Sequence, residues 1–462
     1  MSVLWTADEI AAATGGTVGA GFEVTGVTFD SREVGPGDLF IAMPGTVHDG
    51  HEFVAQAIAA GAAGLVVSRA VDAPHVLVED TAAALQALGR ASRERSGASI
   101  IVVTGSVGKT STKEALFAAL DRWRPGKVHR SVKSYNNHTG VPLSLARMPR
   151  DCEFAVLEMG MNNRGEIAAL TQLVRPDISI ITAIAPAHIE NLGSEEAIAE
   201  AKAEVFEGLE PGGIAIVPND SRHRDLLVRA ARRYAGRIVT FGSGDADVHA
   251  LHAVRADQGG SLITAALLEG DVTFTISQRG EHWVSNALAV LAAVEAVGGD
   301  LGVAGLALAD LGGLKGRGER HRVRVDGGEA LVIDESYNAN PASMAATLKS
   351  LGAEADVERR IAVLGPMREL GVHSESLHAG LAPAVIDAKV DELVLIGDET
   401  GPLEEALDGK VHVTRVADAD EAADAVARML RPGDAVLIKA SNSVGLARVV
   451  ELLKEGASCS TS

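Results

Sequence analysis

Apolar positions along the chain gather into short unbroken runs, separated by glycine-containing turns and Ala-rich amphipathic stretches. From Ser99 onward the runs "IIVV", "FAVLEMG", "ISIITAI", "GIAIVPN" and "RIVTFG" recur, each followed by a turn or a helical stretch. Continuous β-branched runs joined by crossover helices predict a mostly parallel sheet covered on both faces. Residues 247–280 read as β-rich, "WVSNALAVLAAVEAVGG" reads as a helix, and this middle unit ends near Leu314. Upstream, from Val24 to about Arg95, "FIAM", "GLVVS" and "HVLVE" alternate with helical stretches such as "EFVAQAIAAGA", and the polar, helix-like "GRASRERSGAS" closes a small α/β unit near residue 97. After "KGRGERHRV" come "ALVID", "RIAVLG", "DELVLIG" and "DAVLIKA", separated by Ala-rich helical segments, which predicts a second nucleotide-fold-like sheet. The expected architecture is α/β in three domains, residues 1–97, 98–314 and 315–462.

Length agrees with this division, because 462 residues exceed what one hydrophobic core serves. A net charge of −20 repels polyanions at long range, which argues against general attraction to nucleic acid or an anionic membrane, so any phosphate must be held locally. No apolar run approaches the roughly 20 residues of a membrane-spanning helix. The start "MSVLWTADEI" carries Asp8 and Glu9 where a signal peptide needs positive charge, so a cytoplasmic location is expected. Cys152 and Cys459 are isolated thiols without disulfide or metal spacing, and the ending "CSTS" lacks the aliphatic pair of a prenylation signal. A monomer is the default expectation.

Chemistry concentrates first in "IIVVTGSVGKTSTKEALFAAL", a β-branched run, a glycine turn and an amphipathic helix. A helix start offers free N–H groups and the positive end of a dipole, so a glycine turn feeding one is an anion site. Gly105, Ser106, Val107 and Gly108 form that turn. Lys109 would reach the β- and γ-phosphates, the hydroxyl of Thr110 would ligate Mg²⁺, and Ser111 completes the motif. The strict pattern fails at one position, since Val103 stands where its first glycine belongs. ATP or GTP binding follows, and hydrolysis, transfer and switching all remain open at this point.

Glu158 ends the run "FAVLEMG", at the strand edge where open parallel sheets collect ligands, and could complete a Mg²⁺ shell. His188 in "ITAIAPAHIENLGS" lies just after another strand on the same edge. Ser194 followed by Glu195 and Glu196 reads as the cap and acidic first turn of a helix carrying Lys202. A lysine beside bound metal would be repelled, so a role for Lys202 there requires a change of its charge.

These residues and their order resemble a known family. "TGSVGKTSTK", "YNNHTGVPLSL", "EMGMNNRGEI", "AHIENLGS", "AKAEVF", "SNALAV" and "IDESYNANPASM" are similar to the signatures of the Mur ligases, and "DSREVGPGDLFIAMPG" and "DGHEFVAQAIAAGA" resemble the family's UDP-sugar-holding domain. The resemblance implies a UDP-sugar domain, a central P-loop ATPase-like domain and a C-terminal Rossmann-like domain. It implies ATP and Mg²⁺, with two ions, and the joining of a carboxylate to an amine through an acyl phosphate. "YNANP" resembles the members whose substrates are UDP-N-acetylmuramoyl-tripeptide and D-alanyl-D-alanine, used in peptidoglycan precursor synthesis. By residue it implies catalytic roles for Lys109, His188 and Lys202, and metal ligation by Thr110, Glu158, His188 and Lys202, with Lys202 carbamylated by CO₂. A carbamate carries a carboxylate's charge, which removes the repulsion noted above. Asn286 matches an adenine contact, Arg317 a phosphate contact and Asp334 a ribose contact. Ser31, Arg32, Asn136, Asn137, Tyr337 and Asn338 fall to the substrates.

Departures from the family pattern are Ala183 and Ala185 in "AIAPAHIE", Trp283 after His282, Pro366 in "LGPMREL" and Asn442 in "KASNSVGL". Two rivals are a ligase of the same architecture with other substrates, tripeptide-forming or folylpolyglutamate-like, and a nonenzymatic nucleotide switch. No guanine-reading N-K-x-D supports a GTP switch. Three ligands on three domains imply a C-terminal domain that stands open without ligand and closes before chemistry.

Overall fold

A computed structural model describes residues 2–45, 48–187, 189–256 and 259–459, with side chains to residue 455. Its centre is a nine-stranded sheet. The order from one edge is Asp271–Ile276, Ser261–Ala266, Val248–Arg255, Arg237–Gly242, Ile214–Pro218, Ile178–Ile181, Ser99–Thr104, Phe154–Glu158 and Val128–Arg130. Pairing is parallel from Val248–Arg255 to Val128–Arg130, and the strands 248–276 add an antiparallel ribbon, matching the β-rich stretch expected there. Alternation along Ser99–Thr104 sends Ile101 and Val103 into one core layer and Ile100 and Val102 into the other. The first layer packs the helices Lys109–Trp123, Glu281–Ala296 and Leu301–Ala309; the second packs Glu166–Val174 and Glu195–Ala203.

Register is what assembles a site. Glu158 pairs with Val103, and Ile181 with Thr104, so three neighbouring strands end together and deliver Gly105, Glu158 and Thr182 to one edge. Val103 is wholly buried in that ladder, which explains why the phosphate turn begins later than in the strict pattern.

Residues 17–77 form a five-stranded sheet in the order Thr17–Val18, His75–Leu77, Gly64–Val67, Asp38–Ile41, Gly26–Thr28. The expected helix over "EFVAQAIAAGA" is shorter. A 3₁₀ turn, Gly50–Phe53, carries the capping box of Asp49 and Glu52 before the α-helix Val54–Ala59 begins. The helix Thr81–Arg95 starts on the side chain of Asp80 and reaches the central unit, where Arg93 donates to Val174 O at 2.8 Å.

The last sheet runs Glu319–Val325, Gly328–Glu335, Asp434–Lys439, Arg359–Leu364, Glu392–Ile396, His412–Val416, all parallel except the first pair. Two of its strands, "ERHRVRV" and "HVTRV", escaped the sequence reading. Both lie at sheet edges, the first with Arg320, Arg322 and Arg324 on alternate positions and the second interrupted by Thr414 and Arg415, so neither shows an apolar run. This sheet sits against the central one through ion pairs. Glu354, almost fully buried, joins Arg279 of the central unit to Arg320 of the last sheet, and Lys349 meets Glu281 at 2.7 Å. On another contact Glu190 donates its N–H to Glu369 O at 3.3 Å. These contacts join the C-terminal unit to the central one in this structure.

Leu116 of the helix Lys109–Trp123 is fully buried in the first core layer. Leu116→Ala is expected to cost about 2–5 kcal/mol, seen as an earlier unfolding transition in a denaturant titration.

Candidate active site

The turn between the strand Ser99–Thr104 and the helix Lys109–Trp123 requires its glycines. Gly105 has φ +150, and a β-carbon there would lie 2.0 Å from Thr182 Oγ1. Gly108 has φ +87, with Asn286 Oδ1 at 2.9 Å from the corresponding point. Main-chain and hydroxyl contacts anchor the turn to the next strand: Ser106 N–H donates to Ala183 O at 2.7 Å, Ser106 Oγ to Ala185 O at 2.9 Å, and Thr182 Oγ1 to Val107 O at 2.5 Å. Ala183 and Ala185 contribute through carbonyls, so the departures at these positions leave the anchor intact. Gly105→Ala is expected to weaken ADP binding by about tenfold or more, since crowding and a disfavoured φ together exceed about 1.4 kcal/mol; calorimetric titration with ADP measures it.

Lys109 folds over the turn and donates from Nζ to Gly105 O at 2.8 Å. Burial lowers its pKa and the charge of Arg317 adds to that, against an opposing pull from Glu158. One helical position on, Thr110 Oγ1 donates to Glu158 Oε2 at 2.8 Å, while Asn136 Nδ2 donates to Glu158 Oε1 at 2.8 Å. Glu158 is buried and its own N–H donates to Ser131 Oγ at 3.1 Å. Thr110, Asn136 and Glu158 thus form one cluster beside the turn.

Lys202 lies on the helix Glu195–Ala203, whose start Ser194 caps by accepting from Ala197 N–H. It is fully buried, and among the described residues its side chain makes no hydrogen bond or ion pair. Burial and then the charge of Lys109 drive its pKa well below the usual lysine range. His188 lies outside the described residues.

A cavity of about 260 Å³ joins the turn to the last sheet. Gly105 stands at the base of the turn behind the lining; Ser106 to Ser111, Asn286 and Trp283 line one side, and Arg317 and Asn338 the other. The Arg317 guanidinium stacks 4.2 Å above the Tyr337 ring, so Tyr337 supports the arginine from outside the lining. Asp334 also lies outside it. Its carboxylate accepts N–H groups of Gly316 and Ser336, each at 3.0 Å, and the Ser336 hydroxyl at 2.6 Å, which fixes the turn that presents Arg317. Asn137 Oδ1 accepts from the N–H groups of Thr139 and Gly140 and from the Thr139 hydroxyl at the start of the helix Gly140–Ala146. Ser31 donates to Gln56 and Arg32 pairs with Asp30, both away from this cavity. Pro366 and Asn442 are likewise absent from the lining.

Three titratable residues of the cavity were not anticipated. Glu335 and Lys439 end adjacent parallel strands and pair at 3.5 Å, Lys439 also donating to Asn338 O at 2.9 Å. Burial pushes Glu335 up and Lys439 down, each partly offset by its partner. His282 is lowered to about 4 by burial and by Lys439, so it is neutral near pH 7 and leaves Lys109 and Arg317 to meet anionic charge. Lys113, fully buried one turn beyond Thr110, donates to the carbonyls of Ser131 and Lys133.

Family models match most of the chain: the Mur ligase family, catalytic domain over residues 23–93, the Mur ligase middle domain over 103–294, and the Mur ligase, glutamate ligase domain over 316–442. The chain belongs to the Mur ligase family. Within it, a "UDP-N-acetylmuramoyl-tripeptide--D-alanyl-D-alanine ligase" of Synechocystis is 37% identical over 440 residues, covering 93% of this chain and 92% of its own. The crystal structure of MurF from Acinetobacter baumannii is 30% identical with a TM-score of 0.84, over 98% of this chain and 99% of that one. The MurF ligase from Thermotoga maritima in complex with ADP is 26% identical with a TM-score of 0.78, over 95% and 99%.

Proposed function

We propose that this chain joins D-alanyl-D-alanine to UDP-N-acetylmuramoyl-tripeptide at the expense of ATP, giving UDP-N-acetylmuramoyl-pentapeptide, ADP and phosphate for peptidoglycan synthesis. The observation that carries the reaction class is one cavity lined by the phosphate turn and by Arg317 of another sheet. The substrates rest on the names of relatives that match nearly end to end, and on "YNANP".

The residues present fit Mg²⁺. Thr110 Oγ1 and a Glu158 carboxylate oriented by Asn136 are hard oxygen donors on one buried edge. Thr110 and Glu158, with His188 and a carbamylated Lys202, would hold the metal, in two ions. Bound there, Mg²⁺ supplies neutralisation of charge on the phosphate oxygens. Carbamylation is the attack of the neutral Lys202 amine on CO₂, forming an N–C bond and releasing a proton. Burial and the charge of Lys109 favour the neutral amine.

Lys109 exchanges its contact with Gly105 O for the β- and γ-phosphates, and Arg317, held flat on Tyr337, meets the transferring phosphoryl group. The terminal carboxylate of the tripeptide attacks the γ-phosphorus, releasing ADP. The dipeptide amine then attacks the acyl phosphate carbonyl, and phosphate leaves. Walls from two sheets exclude water and protect the acyl phosphate from hydrolysis. Ser31 and Arg32 take the uridine side, Asn286 the adenine, and Asn338 the cleft shared with the dipeptide. Asp334 acts on the ribose only indirectly, through the turn it holds. The proposal includes domains bounded at residues 97/98 and 314/315, a cytoplasmic location and a monomer.

Phosphate release from ATP tests this, with tripeptide substrate and D-alanyl-D-alanine supplied together and each omitted in turn. Release that needs both and yields pentapeptide is expected; release indifferent to both would leave only an ATPase or switch.

A further inference from the structure

Residues 131–136 are held from two sides. From within, the buried Lys113 donates to Ser131 O at 2.9 Å and Lys133 O at 2.8 Å, and pairs with Glu114 at 2.9 Å. From the five-stranded sheet, Glu33 accepts Lys133 Nζ and, at 3.2 Å, the Tyr135 hydroxyl, with Arg147 at 3.8 Å. Between these clamps Lys133 adopts φ +54, a left-handed backbone that a side chain disfavours and that its surroundings must impose. Both ends of the segment then grip Glu158: Ser131 Oγ accepts its N–H at 3.1 Å, and Asn136 donates to its carboxylate at 2.8 Å. Glu33 in turn follows Arg32 directly and closes the turn Asp30–Glu33, donating its N–H to Asp30 O at 3.0 Å.

We infer that residues 131–136 are a coupling strap, through which Glu33 links occupancy of the UDP-substrate turn Asp30–Glu33 to the alignment of Glu158 at the metal–nucleotide cluster. This rests on the function proposed above. The bistable element is the backbone at Lys133: left-handed while both clamps hold, free to return to the ordinary basin when Glu33 lets go. Glu33 and Lys113 are positioning residues, acting through Asn136 and Glu158. The strap therefore predicts that each ligand tightens the other, by the same factor in both directions.

Calorimetric titration of the full-length protein with Mg-ADP, alone and with saturating UDP-N-acetylmuramoyl-tripeptide, reads the coupling. In the unsubstituted protein the ADP Kd is expected to fall about fivefold or more when the tripeptide is present. Glu33→Gln is expected to bring that factor close to one, whatever its effect on ADP affinity alone. The charge-exchanged pair Glu33→Lys with Lys133→Glu is expected to restore it, which a merely structural role would not do. Thermal unfolding of each variant accompanies the titration, and because Glu33 is partly exposed, Glu33→Gln folds where a change at buried Lys113 could fail. Both ligands binding with no coupling, or coupling that survives in Glu33→Gln, overturns the strap and leaves the proposed reaction standing. No binding of the tripeptide to the unsubstituted protein overturns both.

Discussion

Lys109→Met lowers the ligation rate about a thousandfold, with little change in folding. In the proposed reaction Lys109 carries the ammonium that meets the phosphates. Among the described residues its Nζ makes one hydrogen bond, to Gly105 O, so methionine, of similar length, loses little that holds the fold. What it loses is charge where charge develops. His282 cannot substitute, being neutral near pH 7, and Lys439 is engaged by Glu335 and Asn338. Arg317 alone would then face the transferring group. Steady-state and single-turnover rates on protein with an unchanged melting temperature check this. A rate within about tenfold of the unsubstituted enzyme, the span of one modest hydrogen bond, would show that Lys109 is only structural.

Lys202→Met is expected to produce a loss of about the same size, with a spectroscopic counterpart. Unsubstituted protein equilibrated with ¹³C-bicarbonate gives a carbamate carbon resonance, and Lys202→Met does not. The electrostatics support this. Two buried cations, Lys109 and Lys202, repel each other, and both amines are pushed toward neutrality. Carbamylation replaces one of them by an anion, so the remaining interaction changes sign and favours the charged form of Lys109. The sign with pH follows: the amine reacts with CO₂ when neutral, so its lowered pKa favours carbamylation and acidification reduces it. An active Lys202→Met enzyme, or a spectrum without the resonance in the unsubstituted protein, would remove the carbamate from the mechanism.

Much of this site could be read in sequence because its parts are local. A β-branched strand, a glycine turn and a lysine–threonine helix start are contiguous, and Glu158 declares itself by ending an apolar run. What stayed hidden depends on register and on which partner a side chain selects. Glu335 and Lys439 meet only because the strands Gly328–Glu335 and Asp434–Lys439 pair in parallel at their last residues. Lys113 looks like any solvated helix lysine until the fold buries it against two carbonyls. The Asp334 carboxylate and Asn137 Oδ1 each accept nearby backbone N–H groups, bonds that a family motif does not reveal because the local turn decides them.

The strand order of the central sheet also bears on synthesis. The five-stranded sheet has all its strands by residue 77 and can collapse while the rest of the chain is still emerging. The strand Ser99–Thr104 has no such liberty: both its neighbours, Phe154–Glu158 and Ile178–Ile181, lie far downstream. A ribosome that pauses between them holds an apolar strand without partners, a species for chaperones, and the phosphate turn takes shape only after that delay ends.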